Sequence, residues 1–492
     1  LVDPGLTRGL LERLLQPAFV DMMAAHLAAA RVNRQPRARE DILPDPFPRC
    51  IGVLSCQRTG QVHAGTALLE ILVEQRFHSD QVLSQRIDEP LGERHDTILV
   101  ALALADDDGL TIELQVLHPK AQTLHHPQPR AVHQAAAVDP DQRGRGTRAR
   151  AVDVGADLAA DAREARGRPV ASIFIGGGTP SLFSPEAIDA LLCGLRARLS
   201  LKPGLEITLE ANPGTVEAAR FAGYRDAGVN RLSIGVQSFD DTMLQRLGRI
   251  HTASEASEAF QIARAAGFDN INLDLMYGLP GQAPGMAIDD LRQAIALRPE
   301  HLSWYQLTLE PNTAFHATPP PAIPDDDMLG EIAETGIPLL ASEGYAQYEV
   351  SAYARHDRRC RHNLNYWQFG DYIGIGAGAH GKLTVPGEGV VRRRKERHPR
   401  RYMETASAGK ALSGENRLQD DDLLMEFMLN SLRLNEGVPA AWFEHRTGLA
   451  LAAIGQRLAL ARNQGLIEED ESIIRPTQAG RQYLNDLLLL FS

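Results

Sequence analysis

From residue 170 onward, short apolar runs alternate with longer segments of helical period, and each run closes in Gly, Pro or a polar residue. This is the β-α alternation of a parallel sheet or barrel. It predicts strands at Ala171 to Gly176, Leu205 to Ala211, Arg231 to Val236, Asn270 to Met276 and Leu302 to Leu309. Helices are predicted between them at Pro185 to Leu199, Val216 to Ala227, Ala253 to Ala266 and Ala287 to Leu297. A closed eight-fold barrel needs about 250 residues of such alternation, whereas the pattern here fades near Pro319 to Pro321. The expected class is therefore α/β, with a partial or open parallel (β/α) barrel.

Upstream the pattern breaks. Residues 1 to 150 hold only three aromatics, Phe19, Phe47 and Phe77, with no Trp or Tyr, so they lack the rings that supply much of a usual core. Leu10 to Ala30 has helical spacing, while Thr97 to Leu104, Asp106 to Gly109 and Leu110 to Leu117 read as strand, turn and strand, predicting a hairpin. His118 to Arg150 has no apolar period and reads as linker or disorder.

Composition narrows the function. The 492 residues carry 51 Lys+Arg against 63 Asp+Glu, a formal balance of −12, which argues against a general nucleic-acid binder because phosphate neutralisation needs clustered basic charge. No apolar run approaches the roughly 18 residues of a membrane span, and no secretory signal is readable, so a cytoplasmic location is expected, with membrane contact at most peripheral. Cys50, Cys56, Cys193 and Cys360 are too scattered for a disulfide framework and are expected to be reduced thiols. Cys193 falls at a core-type helical position and is expected to be buried.

In parallel βα folds chemistry collects at the C-terminal ends of the strands. The first predicted strand ends in Gly176-Gly177-Gly178-Thr179, whose glycines let a ligand approach bare N–H groups; the bland alternative is a tight turn before a helix capped by Ser184. The next strands end near Glu210, Gln237 and Asp274, with Arg249 in a following loop. Each alone is more often a cap or a satisfied polar group. Together they would converge on one pocket, in which acceptors suit ribose hydroxyls and an amino group, and Gly amides with Arg suit a carboxylate.

At these residues the chain resembles the HemW-type haem chaperones, relatives of the oxygen-independent coproporphyrinogen III oxidases in the radical S-adenosylmethionine (SAM) superfamily. The resemblance runs from about Leu158 to the C-terminus through IFIGGGTPSL, EANPGTVE, AGVNRLSIGVQSFDDTMLQRLGRIH, NLDLMYGLPGQ, LSWYQLTLEPNT, HNLNYW and YIGIGAGAHG. It implies a partial barrel of radical SAM type with a small winged-helix-like C-terminal domain, and a SAM site lined by Gly177, Gly178, Thr179, Glu210, Gln237, Arg249 and Asp274. His362 of HNLNYW is by resemblance the leading haem-ligand candidate, against a capping or core-packing role; His380 is the weaker one. The basic run Arg392 to Arg397 reads as a solvated face, with contact to haem propionates or an anionic surface as the lesser alternative.

The family pattern opens with a strand running into Cys-x3-Cys-x2-Cys, whose thiolates hold a [4Fe–4S] cluster. This sequence has no such motif; the corresponding stretch reads His125 to Gln134, and Cys50 and Cys56 have the wrong spacing. A missing first strand would leave a sheet edge that Leu110 to Leu117 could cover. The expected organisation is an atypical region over 1–150, a radical SAM-like partial barrel over 151–385 and a HemW-like C-terminal domain over 386–492. The expected function is a haem chaperone that binds haem and SAM, delivers haem to acceptor proteins and works without a cluster in this chain. Two alternatives stand beside it: a coproporphyrinogen III oxidase-like radical SAM oxidoreductase of porphyrin biosynthesis, and a βα-barrel enzyme whose Gly-rich loop takes a phosphorylated substrate.

Overall fold

The computed structural model describes residues 97–98, 110–115, 150–151, 157–158, 161, 168–177, 179–214, 218–309 and 313–492. Its centre is a twelve-stranded sheet. In chain order the strands are β1 (Leu110–Gln115), β2 (Val170–Gly176), β3 (Leu201–Ala211), β4 (Arg231–Gln237), β5 (Ile271–Tyr277), β6 (His301–Gln306), β7 (Ala346–Glu349), β8 (Ala352–Ala354), β9 (Tyr372–Ile375), β10 (His380–Val385), β11 (Gly389–Lys395) and β12 (Leu412–Arg417). The spatial order is β12-β11-β10-β9-β1-β2-β3-β4-β5-β6-β8-β7. From β9 through β6 all neighbours are parallel, and antiparallel strands extend both sides. The parallel run, flanked by helices, is the expected partial α/β barrel.

The five predicted barrel strands are β2 to β6, with ends shifted by a few residues. They read as near-continuous apolar runs because parallel strands are covered on both faces. Ile173, Ile175, Leu209, Leu232, Ile234, Leu273 and Leu302 face the helices and are fully buried. The helices start where side chains can cap them. Ser184 Oγ accepts from Ala187 N ahead of Pro185–Arg196, and Thr252 and Glu255 form a reciprocal capping box ahead of Ala253–Ala265.

Two expectations upstream are corrected or met. Among the described residues the expected hairpin pairing is not present: Thr97–Ile98 pairs in parallel with Arg150–Ala151, in a sheet separate from the main one. Leu110–Gln115 instead enters the barrel as β1, with Thr111 opposite Tyr372 on one side and Ser172 on the other. The place of a first barrel strand is thus filled, because two unpaired strand edges on either side attract any extended segment able to complete both ladders. Most of residues 1–150, including Leu10 to Ala30, Cys50 and Cys56, lies outside the described residues.

Cys193 is exposed, contrary to the expectation of a core position. The buried stripe of its helix is Ile188, Leu191, Leu192 and Leu195, which leaves Cys193 on the outer face. At the C-terminus, short helices surround a two-stranded piece pairing Val438 with Ile474, and the Gly465 to Arg475 segment closes through an Ile467–Pro476 bridge. Among the described residues no helix is long and apolar enough to cross a membrane.

Candidate functional site

The C-terminal ends of the parallel strands form one rim, and Gly176 begins it. A Cβ at Gly176 would lie 2.4 Å from the Phe174 ring and 3.2 Å from Glu210 Oε2, so only glycine fits. Gly177, at φ 76°, donates its backbone N–H to Glu210 Oε2 at 3.1 Å. Gly178 lies outside the described residues. Thr179 precedes a single 3-10 turn and Ser184 caps the helix beyond it, as the tight-turn alternative expects, while the one described glycine amide past the strand, that of Gly177, is taken by Glu210.

Gln237 ends β4 at φ 70°, a conformation costly for a residue with a side chain. It is fully buried; its Oε1 accepts from Tyr305 OH at 2.9 Å, while its Nε2 has no hydrogen-bond partner. A strained backbone and an unanswered buried donor at a strand end are the marks of a group held for a ligand. The next two residues are clamped from behind: Asp290 accepts from Ser238 Oγ at 2.8 Å and from Phe239 N at 2.6 Å. Burial pushes the Asp290 carboxyl up to about 6. Beside Tyr305, Met243, Met276 and Leu279 make a small apolar cluster separate from the main core.

Arg249 stands half-buried in the loop after β4, its N–H donating to Leu244 O at 2.9 Å. His251 Nε2 lies 3.0 Å from Val236 O and fastens the same loop. Asp274 is not at a strand end. It occupies the middle of β5, where its carboxylate accepts from Ser233 Oγ at 2.9 Å and Asn272 Nδ2 at 2.8 Å, and burial raises its pKa. The short apolar run around it hid its depth, since Asp274 faces inward while Leu273 and Leu275 face the helices.

His362 lies at the opposite end of the half-barrel, in the first turn of helix Arg361–Trp367. Its ring stacks on Phe174 at 4.2 Å, its Nδ1 is 3.5 Å from Glu206 Oε1, and Cys360 Sγ is 3.1 Å away. Glu206 and Glu210 are four residues apart on β3, about 13 Å along the strand. Phe174 is therefore the partition, with Gly176 above its ring and His362 beneath. Burial lowers the His362 pKa, opposed by Glu206, and pushes the Cys360 thiol up to about 12. Glu206, Cys360 and His362 bring oxygen, sulfur and nitrogen donors within 4.8 Å of one another. Arg231, whose charge also acts on all three groups, opposes a cation there.

The basic run is largely not a solvated face. Arg392 pairs with Glu426, Arg393 with Asp161 and Glu415, and Lys395 with Asp157 and Asp161; Arg394 and Arg397 remain exposed. The carboxylates that absorb these charges come from other elements, which sequence adjacency does not show. Tyr305, Asp290 and Phe174 were likewise missed by sequence reasoning, because their roles depend on partners 68, 52 and 188 residues away. Their only local signal was a polar or aromatic residue interrupting an apolar run.

Comparison with known proteins follows the same geometry. The radical SAM superfamily profile matches residues 131–294, and the HemN C-terminal domain profile matches 418–483. The chain is 52% identical over 335 residues to the heme chaperone HemW of Escherichia coli (strain K12), an alignment covering 68% of this chain and 87% of that one. It is 38% identical over 332 residues to the mitochondrial radical S-adenosyl methionine domain-containing protein 1 of Mus musculus, covering 65% and 75%. Among solved structures, the Escherichia coli coproporphyrinogen III oxidase HemN, a radical SAM enzyme, matches with a TM-score of 0.55 at 25% identity, over 66% of this chain and 78% of that one.

Proposed function

The chain belongs to the HemW heme chaperone family, and on that premise we propose that it binds haem and SAM and delivers haem to acceptor proteins. The observation that carries the SAM half is Gln237, whose buried amide N–H group has no partner in the protein while Tyr305 holds the other end of the amide. The residues of the rim fit SAM. Thr179, with Arg249, suits its carboxylate; Glu210, which accepts from Gly177 N, suits its ammonium; Gln237 suits a ribose oxygen; the Met243–Met276–Tyr305 cluster suits an adenine face. Asp274 supports the layer below by holding Ser233 and Asn272.

The residues do not fit a [4Fe–4S] cluster. The sequence has four cysteines and no Cys-x3-Cys-x2-Cys, and the two described ones are an exposed Cys193 and a Cys360 at the opposite end from the rim. A cluster needs several thiolates at one place. These residues supply no radical step, and the oxidoreductase alternative rests on fold similarity alone.

For haem, His362 is the iron ligand that the family resemblance implies. In the conformation described it is closed in by Phe174 and Glu206, so coordination there requires Phe174 to swing aside. In calorimetric titrations of the full chain, Glu210→Ala will weaken SAM binding by about tenfold or more, the value of a charge-assisted hydrogen bond. Asp274→Ala will weaken it less. Unchanged affinity in both would remove SAM from this rim.

A further inference from the structure

We propose that His301 is a positioning residue of the SAM site: locked as the Nδ1–H tautomer between Tyr348 and Asn272, it fixes the Asn272 amide and, through it, the Asp274 carboxylate and the Ser233 hydroxyl beneath the rim. This rests on the SAM reading of the rim and deepens it.

The inward faces of β4, β5 and β6 bring these groups into line. Ser233 pairs in register with Glu210 on one side and Asn272 on the other, Asn272 pairs with His301, and Asp274 with Ser303. Ser233, Asn272, Asp274, His301 and Ser303 are all buried, as is Tyr348. Asp274 stands two residues below Met276 of the apolar rim cluster, about 7 Å along β5.

The carboxylate end sets the direction of every hydrogen bond in the chain. A carboxylate only accepts, so Asn272 presents Nδ2 to Asp274 Oδ1 at 2.8 Å, and the same nitrogen donates to Ser233 Oγ at 2.7 Å. Asn272 Oδ1 is then the acceptor that faces His301 Nδ1 at 2.6 Å, with Ser303 Oγ donating to it at 3.1 Å. His301 Nδ1 therefore carries the proton. Burial first, and the Arg231 charge second, hold the His301 pKa well below its ordinary value, so the ring is neutral and Nε2 accepts from Tyr348 OH at 2.9 Å. Tyr348 in turn accepts from Cys360 N at 3.2 Å, which anchors the far end of the chain at the start of helix Arg361–Trp367. At the rim end, the Ser233 proton is committed to Asp274 Oδ2 at 2.9 Å rather than turned toward Glu210, its register partner on β3. A serine donor aimed at Glu210 would compete with the ammonium of SAM for that carboxylate.

The test is a calorimetric SAM titration of the full chain as wild type, His301→Gln and His301→Asn, with each histidine variant repeated on the Asp274→Ala background. An asparagine amide stands where the imidazole Nδ1 does, and a glutamine amide where Nε2 does. His301→Asn thus keeps the donor to Asn272 and should lose no more than about twofold in SAM affinity, whereas His301→Gln keeps only the link to Tyr348 and should lose about fivefold. Packing alone would favour the larger glutamine. With Asp274→Ala in place, the loss caused by His301→Gln should disappear. Equal affinities in the two histidine variants, or a loss that persists beside Asp274→Ala, would overturn the positioning role while leaving the SAM site standing; a wild type that binds no SAM would overturn both. If the histidine variants do not fold, Tyr348→Phe, which keeps the ring and removes only the hydroxyl, carries the test: SAM affinity lowered about twofold or more supports the role, and wild-type affinity overturns it.

Discussion

Asp290→Ala will destabilise the protein by about 2–4 kcal/mol and weaken SAM binding by about tenfold, although Asp290 is placed behind the rim rather than in it. The carboxylate sits on helix Pro284–Leu297, buried, and accepts from Phe239 N, Ser238 Oγ and, at 3.4 Å, Gln282 Nε2. Alanine would leave those donors buried and unanswered, each costing the desolvation of a polar group. The same contacts hold the two residues after Gln237, so the strained φ of Gln237 would relax and its amide would leave the ligand position. Equilibrium urea unfolding and SAM calorimetry read the two effects.

A pH signature separates this role from simple packing. Burial raises the Asp290 pKa in the folded chain to about 6, above the 3.8 of an ordinary carboxyl. Ionisation is thus disfavoured on folding, so this group favours the folded state most below about pH 4, and that advantage falls as pH rises toward 6. The shift corresponds to about 3 kcal/mol at 1.36 kcal/mol per unit. Asp290→Asn, which cannot ionise, will show a flatter stability profile between pH 4 and 7 than the wild type. Parallel profiles would mean that the carboxyl titrates normally and the clamp is weaker than its distances imply.

The contrast between Gln237 and His362 shows which parts of the site the sequence exposes. β2 to β6 announced themselves because both faces of a parallel strand are covered, and Gly177, Glu210 and Gln237 were legible because strand ends are where polar residues interrupt such runs. Depth was not legible. Asp274 looked like a strand-end residue, but its place in mid-strand depends on where pairing with β6 stops, a long-range property. His362 lies in a motif next to the glycine loop 376–379 in sequence, yet β9 runs between them and carries them to opposite ends of the sheet. Leu110–Gln115 read as half of a hairpin because its nearest strand-like neighbour was local; the partners that claimed it begin 60 and 262 residues later. Arg392 and Lys395 looked solvated because Glu426, Asp157 and Asp161 arrive from elsewhere in the chain.

Lys395→Met will cost about 3–5 kcal/mol, the value of breaking a buried ion pair from one side. Lys395 Nζ lies 2.5 Å from Asp157 Oδ1 and also donates to Asp161, and all three groups are buried. Tyr402 OH donates to the second oxygen of Asp157, and Arg393 reaches Asp161 at 3.3 Å. Burial raises the Asp157 pKa and Lys395 holds it down, so without the lysine the carboxyl will protonate at higher pH. The deficit of Lys395→Met, read by urea unfolding, should therefore be largest at pH 8 and shrink toward pH 5. Adding Asp157→Asn and Asp161→Asn should recover most of it, because the uncompensated charge rather than the lost contact is what destabilises. The cluster joins Asp157 and Asp161 to β11, and Asp157 to helix Pro399–Ala406. If the single variant unfolded no more easily than the wild type, the segment ahead of β2 would not be anchored to the sheet. A large loss would establish that Asp157 and Asp161, ahead of β2, are anchored to β11 through Lys395.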